Sequence, residues 1–199
     1  MALRSIYSLT PYRSVYFPTT AIVSLLYVTE DGSSSEIAVV GNEGIVGVSL
    51  FLGGPTPSRA VVQSAGGAFR LKAHLMKDEF VRSGSVMSLL LRYTQALITQ
   101  MTQTSVCNRH HTLDQQRCRW RLLSLGRLQG NELVMTQELI ANRLGVQRVG
   151  ITVAAGALQR SGLIEYHRGD LTVLDRSGLE ATACGCYAVD EASYASLLP

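Results

Sequence analysis

Apolar positions along this chain follow two periods, and the change falls near residue 73. Before it, short β-branched and aromatic runs ("SVYF", "AIVSLLYV", "EIAVV", "RAVVQSA", "GAFRLKA") alternate with turn clusters such as "FPTT", "EDGSSS", "GNEG" and "GGPTPS". Runs this short and regular predict antiparallel strands closed into a sandwich or barrel. From His74 to about Leu128 there is no proline, and only Gly84 and Gly126 interrupt a helix-forming composition. Within it Leu90, Thr94, Leu97, Met101, Thr104, Asn108 and His111 alternate spacings of four and three. Such a heptad stripe predicts a helix that pairs with a second helix, hence a dimer. The competing explanation is a helix packed on its own sandwich. A break near "NRHHTLDQ" lets Thr112 cap a further helix, "LDQQRCRWRLLSLGRL". Its Trp120, Leu122 and Leu123 are expected to face a separate C-terminal core.

The stretch from Thr136 to Tyr166 carries the densest pattern. Thr136 stands where an N-cap is needed, with Gln137 and Glu138 in the first turn of a helix. Ala141 is small enough for a close helix crossing, and Gly145 suits the sharp turn four residues later. Ile140, Leu144, Val146, Ile151 and Ala154 form a buried seam with a second helix over about residues 147–160. That helix is built from poor material: Gly150 and Gly156 each cost about 1 kcal/mol relative to Ala. Its outward face holds Gln147, Arg148, Val149, Thr152, Val153 and Gly156, whereas a solvated face would carry Lys and Glu. A small apolar face with one Arg suits the DNA major groove. Arg148 can fork onto guanine O6 and N7, Val149, Thr152 and Val153 can meet thymine methyls, and Gln147 can read adenine or hold a phosphate. An ordinary αα-hairpin shows the same seam, so the pattern alone does not decide. "LIEYHRGDLTVLD" then predicts a β-hairpin about His-Arg-Gly-Asp, a wing with Arg168 at its tip. "RSGLEATACGCYAVDEASYASLL" reads as a closing helix and a tail.

Composition narrows the class. With 46% hydrophobic and 17% charged residues, the 199-residue chain is ordinary globular material, long enough for one large or two small cores. No apolar run approaches the ~20 residues of a membrane span, and no secretory leader is evident. A cytoplasmic location and no membrane partner are expected. The net charge of +3 is small, but its distribution is uneven. Between Cys107 and Arg148 seven Arg (109, 117, 119, 121, 127, 143, 148) face only Asp114, Glu132 and Glu138. Arg168 and Arg176 face six acids from Glu165 onward. A basic patch followed by an acidic tail predicts a phosphate-facing surface, or else an Arg-rich solvated face.

Cys107, Cys118, Cys184 and Cys186 lack the paired spacing of a structural zinc site, since Cys184 and Cys186 have one residue between them. Reduced thiols and no metal are the expectation. A rival is a metal or redox sensor built on Cys107, His110 and His111 of "CNRHH". Enzyme chemistry is not supported: there is no Gly-rich phosphate loop and no nucleophile–base pair.

A β-rich first half, a long pairing helix and a winged helix-turn-helix together resemble the Crp/Fnr family of bacterial transcription regulators. The likeness is carried by "MTQELIANRLGVQRVGITVAAGALQRSGLIEYHRGDLTVLD", by "VYFPTTAIVSLL" and by "GNEGIVGV". It implies an α+β fold: a β jelly-roll sensory domain of partial cyclic-nucleotide-binding type at 1–83, a dimerisation helix at 84–112, and a winged helix-turn-helix DNA-binding domain at 113–199. It also implies a homodimer on a palindromic double-stranded operator, with RNA polymerase as partner. By the resemblance Arg148 matches the recognition-helix arginine and Thr136 the phosphate contact, while Val149 and Val153 replace charged base readers. Leu90, Thr94, Leu97, Met101, Thr104 and Asn108 are the expected dimer contacts.

The family's cyclic-nucleotide cassette pairs Gly-Glu with Arg-Ser, the Glu taking the ribose hydroxyl and the Arg the phosphate. Here Gly47 meets the Gly but Val48 the Glu, and the second pair is reversed as Ser58-Arg59. A one-residue shift on a strand moves a side chain to the other face. Cyclic AMP is therefore not expected to bind in the usual way, which leaves the effector open, with Arg59 and Ser58 as its candidate contacts. Family rolls begin some tens of residues earlier, so an open sheet edge is expected, covered by the leader "MALRSIYSLTPY" or a partner chain. The N-terminal cysteines that hold an iron–sulfur cluster in some relatives are missing. A DNA-binding regulator is the reading; a protein-interaction module with a degenerate helix-turn-helix is the alternative.

Overall fold

The computed structural model describes residues 2–3, 13–54, 58–127, 132–134, 158–167 and 170–197. The β-branched runs form the strands expected of them: β1 (Ala2–Leu3), β2 (Ser14–Pro18), β3 (Ile22–Val28), β4 (Ser34–Val40), β5 (Ser58–Ser64) and β6 (Gly66–Lys72). They pair antiparallel in two three-stranded sheets, β1-β6-β2 and β4-β3-β5. The leader takes part, because Ala2 and Leu3 pair with Gly67 and Gly66 and so lie along the edge of β6.

Between β4 and β5 the chain turns through Gly47, whose φ of +112° is strained for any residue with a side chain. The short helix α1 (Ser49–Leu52) follows it. Val15, Val23, Leu25, Ala38, Val40, Ile45, Val46 and Leu50 fill the roll, and Met76, Leu90, Tyr93 and Leu97 close it from outside. Those four come from α2 (Ala73–Arg82) and α3 (Gly84–His110). Tyr93 buries its ring and donates its hydroxyl to the Ile45 carbonyl. Gly44 lies so close to that ring that a Cβ there would stand 2.5 Å from the hydroxyl oxygen.

The heptad helix thus packs on its own roll. Gln100, buried mid-helix, accepts a hydrogen bond from the Val39 N–H on the open side of β4 and so satisfies an edge strand. Helix α4 (Leu113–Leu125) starts where expected. Thr112 accepts from the Gln115 N–H while the Gln115 side chain accepts from the Thr112 N–H, a reciprocal cap.

The expectation of a separate C-terminal core does not hold. Trp120, Leu122 and Leu125 of α4 join Leu158, Ile164, Leu171, Val173 and Leu179, but Ile22 of β3 and Val39 of β4 belong to the same cluster. Neighbouring residues on β3 and β4 point to opposite faces, so Val23, Val40 and Leu25 serve the roll while Ile22 and Val39 serve the second core. Ser24 adds a polar seam on that side, donating to Gln63, which donates to Ser124 of α4.

The wing is three-stranded: β8 (Ile164–His167) and β7 (Glu132–Val134) both pair antiparallel with β9 (Asp170–Val173). The predicted single closing helix is two, α5 (Arg176–Thr182) and α6 (Cys186–Leu197), parted at Ala183–Gly185. Asp175 caps α5 by accepting from the Gly178 N–H.

Candidate functional site

The predicted DNA-reading residues Thr136, Gln137, Gln147, Arg148, Val149, Thr152, Val153 and Arg168 lie outside the described residues. Their frame is described. Residues 158–160 are helical, and Leu158 inserts into the second core beside Ile164 and Leu171. β8 and β9 register Ile164 opposite Val173 and His167 opposite Asp170. A helix end, a hairpin and a third strand packed on α4 form the support a winged helix-turn-helix needs.

The basic patch read from the sequence is largely interior. Arg117, Arg119, Arg121 and Arg127 are all buried, and of the seven Arg in that run only Arg109 is exposed among the described residues. Arg119 donates to Asp190 on α6 from Nε at 3.0 Å and from a terminal nitrogen at 2.6 Å, with a further bond to Thr104 of α3. Arg127 donates to Glu43 in the roll at 2.5 Å and to the Leu123 carbonyl, and lies over the Tyr194 ring. Burial lowers the Arg121 guanidinium to about 10. Arg119 and Arg127 hold separate elements together, and the burial of all four keeps them from facing phosphates.

A cavity of about 360 Å³ opens between the roll and α3, within the size range of small-molecule sites. Leu25, Ile45, Val48, Leu97, Ile98 and Met101 make most of its wall, and Gly47, Ser49, Ser58 and Thr94 add small and polar groups. Val48 therefore stands in the cavity at the position where the cassette has its carboxylate. Ser58 lines it as well. Arg59, its neighbour on β5, does not, in keeping with the alternation of a strand. The described lining carries no charged side chain. Its apolar residues from α3 were legible as a helix stripe but not as a wall, because their partner surface comes from the roll.

Residues 116–182 match the model of the Crp-like helix-turn-helix domain. In fold the chain is similar to FixK2 from Bradyrhizobium japonicum, with a TM-score of 0.75 at 17% identity, covering 92% of this chain and 96% of that one. It is also similar to a Crp/Fnr-family transcriptional regulator from Thermus thermophilus, with a TM-score of 0.68 at 20% identity over 92% and 97% of the two chains. A Crp-family regulator from the same organism gives 0.70 at 17% identity over 90% and 92%. No curated protein matches by sequence. A Crp-type helix-turn-helix thus sits within a fold shared with these regulators over nearly the whole chain. Residues 116–182 thus carry a Crp-like helix-turn-helix domain.

The predicted pairing stripe on α3 is divided between the roll and solvent. Leu90 and Leu97 are buried in the chain's own roll, which removes them from any second helix. Thr94, Met101 and Thr104 are half-buried at the margin, and Asn108 is exposed. The apolar residues left open on α3 include the next ones along, Leu91 and Ile98, with Met87 a turn before, and also Leu89 and Val106. A shift of one residue is about 100° round a helix, so the apolar face read as a dimer seam is the one that holds the roll. No helix among the described residues is long and apolar enough to cross a membrane.

The sensor constellation read from "CNRHH" is also rearranged. Cys107 and His111, one turn apart at the end of α3, meet Cys184 and Cys186 from the approach to α6 and its first residue, with all four ligand atoms within 4.8 Å of one another. His110 is exposed and stands outside this group. Cys118 is buried in the second core, where burial raises its thiol to about 11. The signals that could have found the group are Cys-x3-His on a helix and a Cys-x-Cys set at the next helix start. Neither is a zinc spacing alone, and 77 residues separate Cys107 from Cys184.

Proposed function

We propose that this protein is a transcription regulator, a cytoplasmic homodimer that reads a palindromic double-stranded operator and works on RNA polymerase. The carrying observation is the Crp-like helix-turn-helix match over residues 116–182, together with the wing sheet that frames it. In this reading the helix at about 147–160 enters the major groove. Arg148 forks onto guanine, and Val149, Thr152 and Val153 meet apolar base edges. Gln147 reads adenine or a phosphate, Thr136 and Gln137 hold backbone phosphates from the first helix, and Arg168 touches the backbone from the wing. The second copy pairs along α3 through Leu91 and Ile98, with Thr94 and Met101 at the margin. Half-sites then lie about one helical turn, ~34 Å, apart.

Selection of bound sequences from a random DNA pool tests this reading. The expected product is an inverted repeat, and Arg148→Ala should lose about 1–3 kcal/mol of discrimination at one base pair of each half-site. An unchanged preference in that variant removes Arg148 from base reading, and the absence of any enriched motif favours a protein-interaction module.

The effector of this reading is a small, largely apolar molecule held in the cavity between roll and α3. Cyclic AMP is a poor occupant, because Val48 offers nothing to a ribose hydroxyl and Arg59 does not line the cavity. A buried anion without a partner is costly. Isothermal calorimetry should show no saturable binding of cyclic AMP at micromolar concentrations; saturation there overturns this assignment of the cavity.

A further inference from the structure

We infer that Cys107, His111, Cys184 and Cys186 bind one thiophilic divalent cation, Zn²⁺, and so fasten α6 to the end of α3. The four donors converge from two segments far apart in sequence. Cys107 stands in the last turn of α3 and His111 is the extended residue that caps its C-terminal end, while Cys184 lies in the α5–α6 connection and Cys186 opens α6. The Cys107 and Cys184 sulfurs are 3.4 Å apart, and the Cys186 sulfur is 3.7 Å from His111 Nδ1. The three cysteines are buried together as a cluster of their own, and His111 is half-buried at its rim.

The spacing discriminates among metals and clusters. Zinc takes thiolate at about 2.3 Å and imidazole at about 2.0–2.1 Å in a tetrahedron, so its donors lie roughly 3.5–3.8 Å from one another. The observed set, spread from 3.4 Å to at most 4.8 Å, needs only small side-chain adjustments to reach that geometry. An iron–sulfur cluster places several metal and sulfide atoms between its thiolates and requires a wider cage. Three sulfurs and one imidazole are a soft donor set, unsuited to Mg²⁺ or Ca²⁺.

The surroundings suit a charged centre. Three thiolates and a dication leave one net negative charge, and the Arg119 guanidinium lies close enough to act on both Cys107 and Cys186. Without metal the burial of Cys107, and its contact with Cys184, push that thiol up to about 12. Metal entry then displaces protons from the thiols, and no electron is transferred.

The test uses the full-length protein. Purified under reducing conditions and dialysed without chelator, it should carry one equivalent of zinc per chain. Replacing that zinc with Co²⁺ should give the ligand-field bands of a tetrahedral site and a thiolate-to-cobalt charge-transfer band. Cys184→Ser should lose the equivalent and the charge-transfer intensity, whereas Cys118→Ser should keep both. For unmodified protein, stripping the metal should lower Tm and adding Zn²⁺ should restore it, since a ligand that binds only the folded state stabilises it by mass action. Substoichiometric zinc that further Zn²⁺ does not raise overturns the inference. So does a Cys107–Cys184 disulfide in the reduced preparation, iron with acid-labile sulfide, or a cobalt spectrum unchanged in Cys184→Ser. None of these readouts depends on DNA binding, so failure here leaves the operator reading untouched.

Discussion

Asp190→Ala is expected to destabilise the protein by about 3–5 kcal/mol, because it strands the Arg119 guanidinium in the interior. Both side chains are sealed from solvent, at 0% and 6% exposure, and the Arg donates to one carboxylate oxygen from two nitrogens. Thr104 is the further partner that would remain, and a hydroxyl does not neutralise a charge. The pair is not a simple gain in stability. Burial lifts the Asp190 carboxyl to about 6 from an ordinary 3.8, with Arg119 opposing the rise.

A folded-state value above the unfolded one means that the folded protein holds the proton more tightly between about pH 4 and 6. The contribution of this group is therefore fully present below about 4 and is lost as pH rises through 6. Urea unfolding at pH 4.5 and pH 7 checks both points. The Ala variant should show the large loss at pH 7. In Asp190→Asn the stability difference from wild type should change between the two pH values, with wild type relatively better at the lower one. A loss below about 1 kcal/mol for the Ala variant at pH 7 would mean that Arg119 finds another route to charge compensation.

The second large effect concerns the contact between roll and DNA-binding domain. Glu43→Ala should cost about 2–4 kcal/mol, somewhat less than a fully buried deletion because Glu43 is 23% exposed. Arg127 is 5% exposed there, with its Nε 2.5 Å from the Glu43 carboxylate and its guanidinium over Tyr194 of α6. Burial disfavours its charge, but the Glu43 carboxylate outweighs this and holds Arg127 above its ordinary value. Arg127→Met should cost less than Glu43→Ala, and the double variant should recover part of the loss, because an apolar pair leaves no stranded charge. A double-mutant cycle by chemical denaturation measures the coupling. Strict additivity of the two single losses would show that the ion pair does not join the halves.

The sequence made the strands legible because each run is short, β-branched and fenced by turn residues, and a sandwich requires that pattern. Continuous burial at Ala21–Leu25 was visible as an apolar run, yet its reason was not, since the second face of β3 is covered by α4 nearly a hundred residues later. The stripe on α3 was ambiguous for a related reason. Helix α3 is apolar on adjacent faces, and periodicity gives the spacing of a stripe without saying which surface covers it. Leu90 and Leu97 went to the roll, leaving Leu91 and Ile98 outside.

Charge was the least readable quantity. Seven Arg in one run suggested a basic surface, but Asp190 lies 71 residues from Arg119 and Glu43 lies 84 residues from Arg127, so the neutralising partners do not show locally. The cysteine cluster was hidden similarly: Cys107 and Cys184 lie 77 residues apart and meet only after α6 folds back on α3. The face expected to read DNA, over residues 147–156, lies outside the described residues.

The sheet β4-β3-β5 has no solvent side of its own over much of its length. One face lines the roll, while Ile22, Val39 and the Ser24–Gln63–Ser124 seam lie against the DNA-binding half. A roll cut free after residue 112 would expose that second face, with two fully buried aliphatics and a Gln deprived of its Ser124 partner. Swapping this roll onto another protein's helix-turn-helix domain is therefore grafting, not assembly. The new neighbour must supply apolar cover for Ile22 and Val39 and a hydroxyl for Gln63, or the hybrid will stick to itself before it finds any operator.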